Sequence, residues 1–284
     1  MFIKCWGSRG SISVSGKQYV KYGGDTTCIE IQAKTGEIVI IDAGTGIRRL
    51  GNSLLQRNES DYTMLLTHTH WDHILGIAFF KPLLHRKTRL TIQDRKFAGI
   101  DTRGVFNEVM KPPFFPIQLT DLQADIGFDP SLNGCFKIGS MTIDSIPTSH
   151  SEGSLGYRFT EEGKRFVFLT DNELGFAHPQ SESVEAYVKF AADADLLFHD
   201  AEYTAEEYAR KTGWGHSSIP DVLDLASKAC VKRLGMIHLN QDRTDHEMDA
   251  IVQDCRKVLG KKAQANNTQA IDCFGVPYNY EITL

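Results

Sequence analysis

The chain alternates between short β-rich runs and longer stretches with helical spacing. "CIEIQA" (28–33) and "EIVIID" (37–42) are β-branched runs separated by the turn-like Lys34-Thr35-Gly36, and "YTMLL" (62–66) is a further buried-strand pattern. After His73 the text becomes "ILGIAFFKPLL", which predicts the start of a packed helix. Residues 86 to about 135 lack a regular period and carry "KPPFFP" (111–116), where Pro112, Pro113 and Pro116 forbid a regular helix. That stretch is expected to be an insertion, serving as a lid or a dimer contact.

The second half is more regular. "MTIDSI" (141–146) predicts a strand, and "SLGYRFT" with "RFVFLT" predicts a hairpin across Glu161-Glu162-Gly163-Lys164. "SESVEAYVKFAADA" (181–194) has a serine start and helical apolar spacing, and "DLLFHD" (195–200) is a strand ending in polar residues. "SSIPDVLDLASKAC" (217–230) opens with serine caps and places Pro220 in the first turn, where it is tolerated. "RLGMIHL" (233–239) reads as a strand. "RTDHEMDAIVQDCRKVLG" (243–260) reads as a helix ending in glycine after basic residues, and "IDCFGVPYNYEITL" as a closing strand pair. Strands first, then alternating β and α, suit helices packed outside paired sheets, here in one α/β domain spanning residues 1–284 with an insertion at about 86–135.

Composition adds bounds. With 284 residues, 41% hydrophobic, the chain can bury a large core. A net charge of −5, with no run of Lys or Arg longer than two, disfavours tight binding to a nucleic-acid backbone, so nucleic acid is not the expected partner. The six cysteines are scattered without a CxxC pair, which argues for reduced thiols and against a cysteine zinc site. No signal peptide is visible in "MFIKCWGSRGS", and no apolar run approaches the ~20 residues that span a bilayer. The expected setting is soluble and cytoplasmic, away from membranes.

The chemistry concentrates in "LLTHTHWDHILG" (65–76). Side chains two apart on an extended segment point the same way, so His68 and His70 leave one face together and Asp72 continues that direction. His73, on the first turn of the following helix, reaches a neighbouring point. Such a set offers ligands for two nearby cations, zinc first, with manganese or iron as alternatives. Later strands end the same way: His150 lies a few residues past 141–146, Asp171 just after 165–169, and His238 at the end of its strand.

"HTHWDH" together with His150, Asp171 and His238 resembles the metallo-β-lactamase superfamily, over nearly the whole chain. The resemblance implies a four-layer αβ/βα sandwich of two mixed sheets flanked by helices, with a dinuclear site at one sheet edge. It implies that His68, His70 and His150 hold one metal, that Asp72, His73 and His238 hold the other, and that Asp171 bridges them. Asp42, at the end of "IVIID", matches an aspartate that orders the site from behind. "LLFHDAEYTAEEYARKTGWGHSSIPDVLDLA" resembles the phosphodiesterase branch typified by the tRNA 3′-processing nuclease, in which Asp200 and His216 would form a proton-donating pair. Asp72, Asp200 and His216 thus take the catalytic roles. A leaving alkoxide needs a proton; a histidinium can donate it, and a carboxylate behind the ring favours the charged form.

Within that branch, residues 86–135 are too short and too mixed in charge to match a tRNA-gripping arm. "WGSRGS", "YGGDTTCIEI" and "PPFFP" resemble instead the small-molecule members, which hydrolyse cyclic nucleotides or a phosphoribosyl cyclic phosphate. Arg9, in the glycine-bordered loop, is offered either to a substrate phosphate or carboxylate or to a structural tie with Asp or Glu. Trp71 is expected to pack beneath the site, Phe114 and Phe115 to line a pocket or dimer seam, and His178, His199 and His246 to be structural. The expectation is a two-metal phosphodiesterase acting on a small cyclic or terminal phosphodiester, assembled as a homodimer on the family pattern. Its rivals are an RNA or DNA 3′-end nuclease and a non-catalytic regulatory protein on the same scaffold.

Overall fold

The apolar runs assemble into two seven-stranded sheets. The computed structural model describes residues 1–150 and 154–284. In the first sheet, β1 (Phe2–Gly7), β2 (Cys28–Gln32), β3 (Ile38–Ile41), β4 (Asp61–Leu65) and β5 (Arg89–Gln93) lie side by side in chain order. A small hairpin of β6 (Lys96–Phe97) and β7 (Ile100–Asp101) precedes β8 (Asp125–Asp129), which joins the free edge of β5. The second sheet also runs in chain order. It comprises β9 (Cys135–Ile138), β10 (Met141–Pro147), β11 (Leu155–Glu161), β12 (Lys164–Leu169), β13 (Leu196–Asp200), β14 (Arg233–Ile237) and β15 (Asp272–Gly275). Finally β16 (Glu281–Thr283) pairs with β1.

Each sheet is antiparallel in one half and parallel in the other. Parallel neighbours require crossovers, which helices supply. They are α1 (Ile47–Gln56), the single turn α2 (Trp71–Ile74), α3 (Thr102–Val109), α4 (Val184–Phe190), α5 (Ala205–Tyr208), α6 (Ile219–Lys228) and α7 (Asp245–Asn266).

Strand β3 shows why four layers result. All four of its residues, Ile38 to Ile41, are buried, as a strand covered on both faces demands. Val39 and Ile41 join Phe159, Phe166 and Phe198 between the sheets, where the Phe166 and Phe198 rings meet edge to face at 5.2 Å. Ile38 and Ile40 face outward onto Leu50 and Leu54 of α1. On the far side, Leu197, Leu234 and Met236 pack against Val222 and Leu225 of α6 and Val252 and Leu259 of α7. The order is helix, sheet, sheet, helix, the αβ/βα sandwich expected.

Several elements depart from the sequence reading. The stretch 86–135 is not irregular: β5, β6, β7, α3 and β8 lie within it, and Leu90 and Ile92 are buried. Strand β8 gives a weak signal because it is five residues long with Gly127 at its centre, and only Ile126 and Phe128 pack against the core. The helix predicted after His73 is one α turn followed by 3₁₀ turns at 75–79 and 81–84. There Gly76 lies against the Gly44 carbonyl, so closely that a Cβ would sit 2.1 Å from it. Helix α7 passes Gly260 and ends at Asn266, before Asn267 at φ 51°. An interior glycine costs only about 1 kcal/mol, and buried Leu259 and Ala263 keep the helix on the sheet. Helix α1 escapes the sequence reading because Gly46 opens it without a side-chain cap. The final "IDCFGVPYNYEITL" is not a strand pair: β15 closes one sheet and β16 the other. Among the described residues the six cysteines are free, and no helix is long and apolar enough to cross a membrane.

Candidate metal centre

The donors gather where strands end. Asp42, Asp171 and His238 each lie one or two residues past β3, β12 and β14, and each has a left-handed backbone, with φ of 62°, 49° and 55°. Holding a non-glycine residue there costs about 1–3 kcal/mol, which the surrounding structure must offset. All three turn their side chains toward the same crevice. His68, His70, Asp72 and His73 leave β4 beside them, and His150 follows β10.

Two groups of donor atoms result, each spanning no more than 4.8 Å: His68, His70, His150 and Asp171, and Asp72, His73 and His238. Asp171 sits between them. Its Oδ1 is 3.3 Å from His73 Nε2, and its Oδ2 is 3.5 Å from His238 Nε2, 3.6 Å from His68 Nε2 and 3.8 Å from His150 Nε2. Asp72 Oδ2 lies 3.2 Å from His238 Nε2 and 3.3 Å from His73 Nε2. A third, overlapping group joins Asp171, His216 and His238.

Neighbours behind the cluster aim the rings. The Asp42 Oδ1 accepts from the Thr67 N–H at 2.7 Å, while its Oδ2 accepts from the Thr67 hydroxyl at 2.8 Å and faces His73 Nδ1 at 2.8 Å. His73 Nε2 is thereby turned inward. Glu202 does the same for His238, with Oε2 3.0 Å from Nδ1. The Gly215 carbonyl accepts from His150 Nδ1 at 3.1 Å. Gly215 must be glycine: its φ is +91°, and a Cβ would lie 2.1 Å from His150 Nδ1. Glu173 anchors that loop, accepting from the N–H groups of Gly213 and Gly215 and from the Tyr208 hydroxyl, and pairing with His178.

Sequence reading missed Glu202, Glu173 and Thr67. For Glu202 a signal existed, since it follows Asp200 by two along an extended segment and shares its face. Carboxylates that orient metal-binding histidines typically change metal affinity 10–100-fold when removed. Glu202→Gln is therefore expected to weaken zinc binding by about 10–100-fold without unfolding the chain, as read by competition with a chelating dye. Unchanged affinity would reduce Glu202 to packing.

The glycine-bordered loop also differs from expectation. Arg9 does not face a substrate: it is 1% exposed, and its guanidinium donates to the carbonyls of Gly23, Asn240 and Arg243. Among the described residues no acidic side chain pairs with it directly, although the Asp245 charge acts on it; the carbonyls take its N–H groups. Its neighbours serve the site. The Ser11 N–H donates to Asp72 Oδ2 at 2.8 Å, and a Cβ on Gly10 would strike the His238 ring. Trp71 does not pack beneath the centre but stands 60% exposed. Phe115 packs partly against the core beside Phe79, whereas Phe114 is exposed.

Asp200 and His216 meet as a pair, with Oδ2 2.9 Å from Nδ1. The His216 ring stacks on His238 at 4.5 Å, which sets it against the donor cluster. Burial works against a proton on His216, but the Asp200 carboxylate overcomes it and raises the ring's proton affinity above that of an ordinary histidine.

The residues present suit divalent cations. Among the described residues, His68 Nε2 and His73 Nε2 are buried without a hydrogen-bond partner. Burial, reinforced by nearby His73, holds His68 well below the usual histidine range, and burial brings His150 down to about 4, so both rings carry free electron pairs at neutral pH. His150 Nε2 and His70 Nδ1 face each other at 3.1 Å, an arrangement that needs either one shared proton or a cation between them. Burial alone would raise Asp171, yet His238, His73 and His68 keep it well below the carboxylate range. Imidazoles and carboxylates at this density are a donor set for zinc-like ions.

Fold and site together define a metal-dependent hydrolase scaffold. A family model described as "Beta-lactamase superfamily domain" matches residues 37–239. The chain belongs to that superfamily and is a metal-dependent hydrolase. Ribonuclease Z of Gemmatimonas aurantiaca is 24% identical over 268 residues, covering 76% of this chain and 82% of that protein. Ribonuclease Z of Methanosarcina mazei is 26% identical over 291 residues, covering 86% and 90%. The short form of human tRNase Z superposes with a TM-score of 0.64 at 15% identity, covering 100% of this chain and 99% of that one. The fold implies divalent metal ions.

These relatives overturn the expectation that nucleic acid is not the partner, since the proteins most of this chain matches are named ribonucleases. The physical reason lies in what net charge measures. A total of −5 averages over the whole surface, whereas residues 81–111 alone carry eight Lys and Arg against three Asp and Glu. Bound cations also add their own positive charge at the site.

Proposed function

We propose that this chain is a divalent-metal-dependent ribonuclease that cuts an RNA phosphodiester to mature a 3′ end. The observation carrying this reading is the His216–Asp200 pair, stacked on His238 beside the donor cluster, in a chain that matches ribonucleases over most of their length. His68, His70, His150 and Asp171 would hold one ion, and Asp72, His73, His238 and Asp171 the other, zinc being the first choice and manganese or iron next. When bound, such ions activate water at neutral pH and offset the charge that builds on phosphate oxygens.

The protein's own task is to deliver a proton. His216 Nδ1 is engaged by Asp200, which leaves Nε2 to protonate the departing ribose oxygen. Asp200 holds the ring orientation and favours its charged form. Glu202 and Asp42 keep His238 and His73 turned inward while this happens.

The test offers metal-loaded protein a tRNA precursor with a 3′ trailer, alongside bis(p-nitrophenyl) phosphate. The expected result is release of the trailer by a single internal cut, lost on chelation. Hydrolysis of the aryl diester with the precursor left intact would overturn the ribonuclease reading.

A further inference from the structure

We propose that Trp71, Trp214 and Phe176 form an aromatic collar that stacks unpaired bases on either side of the scissile phosphodiester; this rests on the ribonuclease reading above. Tryptophan is on average a strongly buried residue, yet Trp71 is 60% and Trp214 61% exposed, and Phe176 is 45% exposed. Each belongs to a segment that carries or supports the donor cluster. Trp71 stands between His70 and Asp72. Trp214 precedes Gly215, whose carbonyl accepts from His150, and lies two residues before His216. The Phe176 carbonyl accepts from the hydroxyl of Ser149, the neighbour of His150.

Chemistry selects the occupant. An apolar partner would suit exposed rings alone, but these stand on segments that carry the donor cluster or its supports, a site the ribonuclease reading assigns to anionic phosphodiesters. The Lys211 ammonium lies 4.3 Å above one face of the Trp214 ring, which leaves the opposite face for a base and puts a positive charge close to where that nucleotide's phosphate would lie. Every base has a π face, so such a collar tolerates sequence but demands unpaired nucleotides. A single-stranded trailer therefore fits better than a duplex. Leu75 and Phe79, close to Trp71 in the chain, are exposed as well, so a second copy of the chain could cover that stretch; Trp214 and Phe176 lie on other segments.

The experiment uses metal-loaded protein and a hairpin RNA with an unpaired 3′ trailer, with the nucleotides flanking the cut either intact or abasic. In the wild type, removing either of those bases is expected to raise KM about 5–150-fold, the range for loss of one stacked base. Trp214→Ala and Trp71→Ala should each raise KM for the intact RNA by a similar factor and erase the abasic penalty at the one flanking position whose base that ring stacks. Trp214→Phe and Trp71→Phe should restore much of both. An identical abasic penalty in wild type and variants would overturn the collar. So would sedimentation showing that Trp71→Ala dissociates a dimer while base sensitivity is unchanged. If the wild type turns over bis(p-nitrophenyl) phosphate but neither binds nor cuts either RNA, the ribonuclease reading falls first, and the collar with it.

Discussion

Asp171→Asn is expected to lower kcat by at least about 1,000-fold, equivalent to roughly 4 kcal/mol of transition-state stabilisation. The substitution is chosen because it changes charge and little else. Asparagine is nearly the same size and tolerates the left-handed backbone at φ 49° that residue 171 adopts. What disappears is the carboxylate that lies within 3.3–3.8 Å of a nitrogen on each of His73, His238, His68 and His150. With no anion between the two donor groups, cations held by them would repel each other with nothing to offset it. Bound metal should fall from about two per chain to about one or fewer by elemental analysis, with circular dichroism unchanged. Wild-type metal content together with wild-type turnover would mean that Asp171 does not join the two groups.

His216→Ala should lower kcat on RNA about 100–10,000-fold, the usual range for a general acid. The loss should depend on the leaving group. A ribose alkoxide is a strong base and cannot depart without a proton, whereas a nitrophenolate can. Turnover of bis(p-nitrophenyl) phosphate should therefore fall by less than about tenfold. Asp200→Asn should follow the same pattern more weakly, because it leaves the ring in place but withdraws the carboxylate 2.9 Å from Nδ1. Equal losses on both substrates would show that the ring maintains the site rather than delivering a proton. That outcome would instead favour the overlapping group of Asp171, His216 and His238 as a binding role for His216.

Much of the candidate site is legible in the chain because its donors obey local rules. His68, His70 and Asp72 follow one strand at alternate positions, and Asp171 and His238 repeat the strand-end position. The strands are legible for a related reason: "IVII" is apolar throughout since both of its faces are covered. Helix α1 and the edge strand β8 are harder to read, one opening on an uncapped glycine and the other short, with a glycine at its centre. Arg9 shows the limit of residue type as a guide. A guanidinium beside glycines suits a phosphate, but three backbone carbonyls claim it.

By itself the sequence determined the donor inventory and most strands and helices of the second half, while the pairing of Asp200 with His216 came from the resemblance of its segment to a known family. Only the tertiary structure decided which groups aim the rings: Glu202 onto His238 across 36 residues, and the Gly215 carbonyl onto His150 across 65. It also sent the last two strands to different sheets. The reason is that hydrophobic periodicity reports a side chain's direction relative to its own strand. Which strand ends meet depends on parallel crossovers and on left-handed turns at Asp42, Asp171 and His238, whose contacts are distant along the chain.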